Sequence, residues 1–300
     1  MTDIKAEYQH PEYLAETHWL ERNLDTKDLL IFDCTVYVTQ NTDPEHRNKS
    51  PFIFQSGRNN YEQAHIPGAG FIDILNDLSD TASEIPLMLC NKDKIIEAMN
   101  SYGISNDSYV VLYSTSETNW AARAWWIMRS VGFNNIAILN GGWKKWTSED
   151  HPISNKICSY EPGDFVSKAI TDAFVDKDEV LGFIDDNQTR IISALPTPIH
   201  KGESDICFGR KGRITGSVNV PFMDLHDPTT GCYLQADQLQ SKFDDVDVGA
   251  AERVITYCGG GIAASNSAFA LALLGYDYVS VYDGSMLEWG NDSSLPMEVG

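Results

Sequence analysis

Cations, paired cysteines and long apolar runs are what this 300-residue sequence has least of. The longest apolar stretch, residues 268–274, is too short to span a bilayer, and residues 1–10 hold no apolar signal-peptide core, so a cytoplasmic protein is expected. Six cysteines (Cys34, Cys90, Cys158, Cys207, Cys232 and Cys258) form no C-x-x-C pair and no Cys/His group at metal-ligand spacing. They read as reduced thiols, with no metal expected. Lys and Arg number 22 against 43 Asp and Glu, a formal net charge of −21, which argues against a nucleic-acid surface because phosphate binding depends on cations that displace counterions. The exception is Arg210-Lys211-Gly212-Arg213, with His200 and Lys201 upstream. Such a run is by default a solvated basic loop; the sharper reading is a local positive site that admits an anionic substrate against the global field.

What the sequence does have is a repeat. His65-Ile66-Pro67-Gly68-Ala69 is echoed by Arg213-Ile214-Thr215-Gly216-Ser217, Tyr109-Val110-Val111-Leu112-Tyr113-Ser114 by Arg253-Val254-Ile255-Thr256-Tyr257-Cys258, and the segment from Val131 to Trp143 by that from Leu274 to Met286. The offsets, 148, 144 and 143 residues, keep order and spacing, so the chain reads as a duplicated domain. Each half alternates apolar runs with helix-like segments that end at Gly132 or Gly275, the pattern of β-α-β units feeding a parallel sheet. Residues 153–166, aperiodic and containing Pro162-Gly163, read as a linker between halves 1–152 and 167–300.

One segment carries chemistry. In Val254-Ile255-Thr256-Tyr257-Cys258-Gly259-Gly260-Gly261-Ile262-Ala263-Ala264 a short β-type run delivers a cysteine into three glycines, and a small-residue helix follows. The glycines are expected to adopt positive φ and turn successive backbone N–H groups toward one point, and the helix dipole adds its positive end there. Both favour a thiolate and the anion it becomes. The other five cysteines read as inert, His65 as a structural hydrogen-bonding residue, and Arg210 as balanced between a salt bridge and a substrate contact.

Taken with Asn140-Gly141-Gly142-Trp143 and the tail Tyr282-Asp283-Gly284-Ser285-Met286-Leu287-Glu288-Trp289, these blocks resemble the tandem rhodanese-domain sulfurtransferases, the group of thiosulfate and 3-mercaptopyruvate sulfurtransferases, over almost the whole chain. The resemblance implies an α/β fold of two tandem rhodanese-like domains, each a mainly parallel sheet flanked by helices. It also implies a silent N-terminal copy that helps wall the site, and a C-terminal copy in which Cys258 carries a sulfur as a persulfide. The backbone of Gly259, Gly260, Gly261, Ile262, Ala263 and Ala264 would bind that anion. No cofactor is implied; the partners are a small sulfur donor and an acceptor such as cyanide, a thiol or a protein, with no nucleic acid and no membrane. Ser114 stands where the nucleophile would be in the first half, and a hydroxyl cannot hold a transferable sulfur.

The sequence departs from the family at the donor site. Thiosulfate-preferring loops place Arg and Lys where this chain has Gly259 and Gly260, the mercaptopyruvate-type loop places a serine at Gly260, and family arginines correspond to Leu195 and Ile199. Arg210 is therefore the first candidate for donor recognition, with Lys211 and Arg213 behind it. Two other classes compete. A phosphatase on the same fold would need C-x5-R, and that arginine position is Ala264. A non-catalytic binding module is opposed by the intact cysteine and glycines.

Overall fold

The computed structural model describes residues 7–43, 45–46, 50–168 and 172–300. The N-terminal half runs β1 (Leu14–Ala15), α1 (Thr17–Asn23), β2 (Leu29–Asp33), β3 (Val36–Gln40), β4 (Phe52–Ser56), α2 (Arg58–Tyr61), β5 (Gly70–Phe71), α3 (Ile74–Asp77), α4 (Lys92–Ser101), β6 (Tyr109–Tyr113), α5 (Asn119–Ser130), β7 (Ile136–Leu139) and α6 (Gly142–Ser148). The C-terminal half follows with β8 (Phe174–Val175), α7 (Lys177–Phe183), β9 (Thr189–Ser193), α8 (Thr197–His200), β10 (Arg213–Ile214), β11 (Val218–Asn219), α9 (Ala236–Asp244), β12 (Arg253–Tyr257), α10 (Ile262–Leu273), β13 (Val279–Tyr282), α11 (Ser285–Trp289) and β14 (Met297–Glu298).

Two five-stranded sheets result, ordered β1-β7-β6-β2-β5 and β8-β13-β12-β9-β11, with every pairing parallel. The orders match strand for strand, and the match extends to single hydrogen bonds. The Ile66 N–H donates to the Tyr113 hydroxyl and the Ile214 N–H to the Tyr257 hydroxyl, both at 3.2 Å. Strands buried on both faces need unbroken apolar sequence, which Leu29–Asp33, Tyr109–Tyr113 and Arg253–Tyr257 supply almost throughout. The halves differ after the first long strand, where the N-terminal half inserts the antiparallel hairpin β3–β4 and the C-terminal half α8, whereas the β10–β14 pair has its counterpart in the antiparallel bridge between His65 and Ser154.

The halves are joined by their central helices. Nearly every residue of α5 and α10 is buried; α10 is apolar on most sides, as expected of a helix enclosed between layers, whereas α5 also buries Asn119 and Arg123. Trp125 of α5 meets Phe269 of α10 edge to face at 4.8 Å, and the Trp126 indole N–H donates to the Ala173 carbonyl at 2.8 Å. Residues 153–166 lie along the N-terminal half rather than spanning free. Ser154 and His65 exchange backbone hydrogen bonds at 2.8 Å, both ring nitrogens of His65 reach carbonyls (Tyr61 and Lys156), and the Tyr160 hydroxyl donates to the Gly68 carbonyl.

Candidate active site

Cys258 follows the last residue of β12, the central strand of its sheet, and α10 begins four residues later. It is 3 % exposed and forms part of the wall of a cavity of about 330 Å³ between the two halves. Gly259, Gly260, Ile262 and Ala263 line the same cavity, whereas Gly261 and Ala264 lie behind it. The first N–H groups of a helix have no intrahelical partner, so the start of α10 offers donors beside the sulfur.

The three glycines act in two different ways, which corrects the expectation that all would take positive φ. Only Gly261 does, at +81°. A Cβ on Gly259 would lie 2.5 Å from the Phe208 ring, and one on Gly260 would lie 2.9 Å from Leu287 Cδ1. Those two glycines make room for apolar side chains that close over the nucleophile.

Ser285 was not foreseen from the sequence, and it organises the loop. Its fully buried hydroxyl accepts from the Cys258 N–H at 3.0 Å and the Gly261 N–H at 3.2 Å and donates to the Tyr282 carbonyl at 2.7 Å. The Gly261 amide is thus committed to Ser285 and unavailable to a bound anion. Ser285 sits at φ +47°, a conformation unfavourable for a side chain, while its counterpart Gly142 has φ +52°. That pairing of Gly142 with Ser285 in the repeat was the available signal. The Met286 and Leu287 N–H groups donate to the carbonyls of Cys258 and Gly259 at 3.1 and 2.7 Å. Because a trans peptide opposes its C=O and N–H, the Gly259 and Gly260 amides turn away from α11.

Beneath the loop lies a charge supplied by the other half. Arg123 of α5, fully buried, meets Asp283 at 2.6 Å (Nη2 to Oδ1) and donates from Nη2 to the Leu87 carbonyl at 3.0 Å. A Cβ at Gly261 would lie 3.0 Å from Arg123 Nη1, a buried group without a hydrogen-bond partner. The Leu89 N–H closes the contact on Asp283 Oδ2 at 2.6 Å.

The basic cluster is not brought to Cys258. The Arg210 guanidinium donates to the carbonyls of Trp289, Gly290, Asp292 and Leu295, fastening the turn after α11. Arg213 pairs with Glu298 at 2.9 Å, and Lys211 reaches the exposed Asp205 at 3.5 Å. None of the three lines the cavity. A guanidinium with four carbonyl acceptors is a structural clamp, and local sequence could not show which way it faced. His200, upstream of the cluster, is buried and its pKa is pushed down to about 4 by desolvation.

A cysteine at the end of the central strand of one of two duplicated parallel sheets, beside a helix N-terminus, is the candidate nucleophile of this α/β fold. Comparison with known proteins is specific. The family model described as Rhodanese-like domain matches residues 16–149 and again 176–292. Thiosulfate sulfurtransferase of Mus musculus is 32 % identical over 92 % of this chain and 91 % of its own length. The 3-mercaptopyruvate sulfurtransferase of Escherichia coli K12 is 31 % identical over 93 % of this chain and 95 % of its own. The crystal structure of SseA from Escherichia coli superposes with a TM-score of 0.75 at 29 % identity, covering 91 % of this chain and 98 % of that one. An anaerobic ergothioneine biosynthesis enzyme of Chlorobium limicola shares the fold at a TM-score of 0.78 and 21 % identity, over 98 % of this chain and 72 % of that one. The chain belongs to the rhodanese-like family, as a tandem-domain sulfurtransferase. Among the described residues no helix is long and apolar enough to cross a membrane.

Proposed function

We propose that the enzyme moves a sulfane sulfur from a donor to a thiophilic acceptor such as cyanide or a thiol, through a persulfide on Cys258. The thiolate attacks the donor's outer sulfur; a new S–S bond forms, and the donor's bond to that sulfur breaks with its electron pair on the leaving group. The terminal sulfur of Cys258–S–S⁻ is then taken by the acceptor nucleophile, which regenerates the thiolate. The amides at the start of α10 and those of Gly259 and Gly260 would hold the terminal anion, as preorganised dipoles hold developing charge. The carrying observation is Cys258 at the end of β12, exposed to a cavity and facing a helix N-terminus. The names of the relatives put thiosulfate and 3-mercaptopyruvate forward as donors. Thiolate chemistry suits a reducing compartment such as the cytoplasm.

Intact-protein mass spectrometry tests this. After incubation with a sulfane-sulfur donor the protein gains one sulfur, which cyanide removes with release of thiocyanate, and Cys258→Ser gains none. Absence of the adduct with thiosulfate, 3-mercaptopyruvate, polysulfide and organic thiosulfonates alike would overturn the reading.

A further inference from the structure

The cavity over Cys258 is walled by hydrocarbon. Phe52 and Phe54 of the β3–β4 hairpin enter from the N-terminal half with Trp120 of α5, and Leu195, Phe208 and Phe222 face them from the C-terminal half. Phe52 and Phe208 stand 6.1 Å apart by ring centroid, and Phe54 and Trp120 stand 6.2 Å apart. Among the described residues that line it there is no Lys, Arg or His; besides Cys258, the polar side chains are Ser50, Glu117 and Asn119. Glu117 is exposed at the rim, in a chain of net charge −21. A dianion must therefore approach against a carboxylate and the overall field, and among the described residues that line the cavity it would find one helix terminus and no counter-ion.

We propose, building on the sulfur-transfer reading, that the donor is an organic sulfane-sulfur compound bearing an aromatic or branched aliphatic group and a single negative charge, R–S–S⁻ or R–SO2–S⁻. The outer sulfur meets Cys258 and the amides at the start of α10, and R fills the space between the hairpin and Phe208. About 330 Å³ accommodates one ring-sized group. Transfer forms the Cys258–S–S⁻ bond and releases R–S⁻ or R–SO2⁻ with the electron pair of the broken bond, so no external oxidant or reductant enters. The glycines support the same reading: Phe208 and Leu287 occupy the space over positions 259 and 260 from which a charged side chain would reach the donor.

The test compares three donors on the purified protein, each offering an outer sulfur bonded to an S(VI) centre: benzenethiosulfonate, methanethiosulfonate and thiosulfate. Thiocyanate formation with cyanide gives kcat/KM, and intact mass gives the extent of Cys258 loading. The phenyl compound is expected to exceed the methyl compound by about tenfold or more, since burial of a ring in an apolar pocket discriminates at that level, and to exceed thiosulfate further. Met223, 51 % exposed at the cavity edge, provides a variant that leaves the core intact. Met223→Lys should narrow the gap between benzenethiosulfonate and thiosulfate severalfold. Equal kcat/KM for phenyl and methyl donors, or a preference for thiosulfate, overturns the proposal while leaving sulfur transfer standing; failure of every donor to load Cys258 overturns both. A dimer that buries this mouth, reverted to monomer by Val38→Lys with Ile53→Lys, would also overturn it, because the cavity would then be covered by a second copy.

Discussion

Strands β6 and β12 hold the same place in their sheets and lead directly into Ser114 and Cys258, yet the chain leaves them differently. After Cys258 three glycines reach α10, whose N-cap Gly261 is left-handed; after Ser114 the path to α5 is one residue longer and its N-cap, Thr118, has φ −56°. The first loop satisfies itself: the Ser116 N–H donates to Ser114 Oγ at 3.1 Å and the Thr115 N–H to Thr35 Oγ1 at 2.8 Å. The second is fixed from behind by Ser285, which leaves its front to a ligand. The same asymmetry holds where the halves meet. The Leu89 N–H crosses to Asp283 and the Tyr233 N–H crosses to Asn140, a matched pair of contacts. Beneath the active loop the partner of Asp283 is the charged Arg123; at the matching position, Asn266 instead accepts from the Tyr233 hydroxyl at 2.6 Å. The two copies thus differ in the loop and its support while their sheets stay alike.

The most direct way to break this contrast is to move the nucleophile. Cys258→Ser should lower sulfur transfer by about a thousandfold or more, and adding Ser114→Cys should not restore it, because the first loop offers no amide cradle. A thiocyanate assay on both variants decides, and recovery in the double variant would show the loops to be equivalent. Next in size is the buried ion pair. Arg123→Ala leaves Asp283 unpaired and should cost about 3–5 kcal/mol in urea unfolding, against about 1–3 kcal/mol for Asn266→Ala. Equal losses would mean that charge does not distinguish the two contacts.

Protonation separates the halves as well. Burial pushes the pKa of His226, in the C-terminal half, down to about 4, and that of Asp33, in the N-terminal half, up to about 6. Between pH 6.5 and 4 the unfolded chain takes up the His226 proton first, so its contribution is lost as pH falls, by about 3 kcal/mol at the low end. Asp33 acts oppositely: the fold holds its proton more tightly, so its contribution is present below about pH 4 and lost as pH rises through about 6. Hydrogen exchange followed from pH 7 to pH 5 should show protection falling in the C-terminal half relative to the N-terminal half, with His226→Gln reducing the trend and His226→Gln together with His200→Gln flattening it. Parallel loss in both halves would contradict this assignment. The smallest effect concerns Ser285. Ser285→Gly should slow transfer by about tenfold through loss of the hydroxyl acceptor and lower the melting temperature modestly, since the buried amides of Cys258 and Gly261 lose their acceptor while glycine at φ +47° offsets part of that cost. Gly142→Ser in the first half should leave kcat/KM unaltered.

The duplicated sheets were legible because paired blocks kept their spacing, and Cys258 because strand end, glycines and helix start are contiguous. What escaped was set by residues distant in sequence. Nothing near Gly259 announces that Phe208 will lie on it, and nothing near Arg210 shows that its guanidinium will turn to carbonyls some 80 residues later. The hairpin aromatics Phe52 and Phe54 are likewise ordinary strand residues until the fold of the other half gives them a cavity to cover. The repeat alone pairs Ser285 with Gly142; that the position is left-handed, and so asks for a reason when it holds a serine, comes from the fold.

The contact between Gly259 and Phe208 also constrains descent. A long side chain at position 259 fits only if the ring at 208 moves aside, whereas losing the ring first leaves a hole above the sulfur. Each single step disturbs this contact, so the two positions are expected to change together. A lineage that begins with this pairing meets a barrier between neighbouring sequences, and Phe208 and Gly259 should be inherited as a unit.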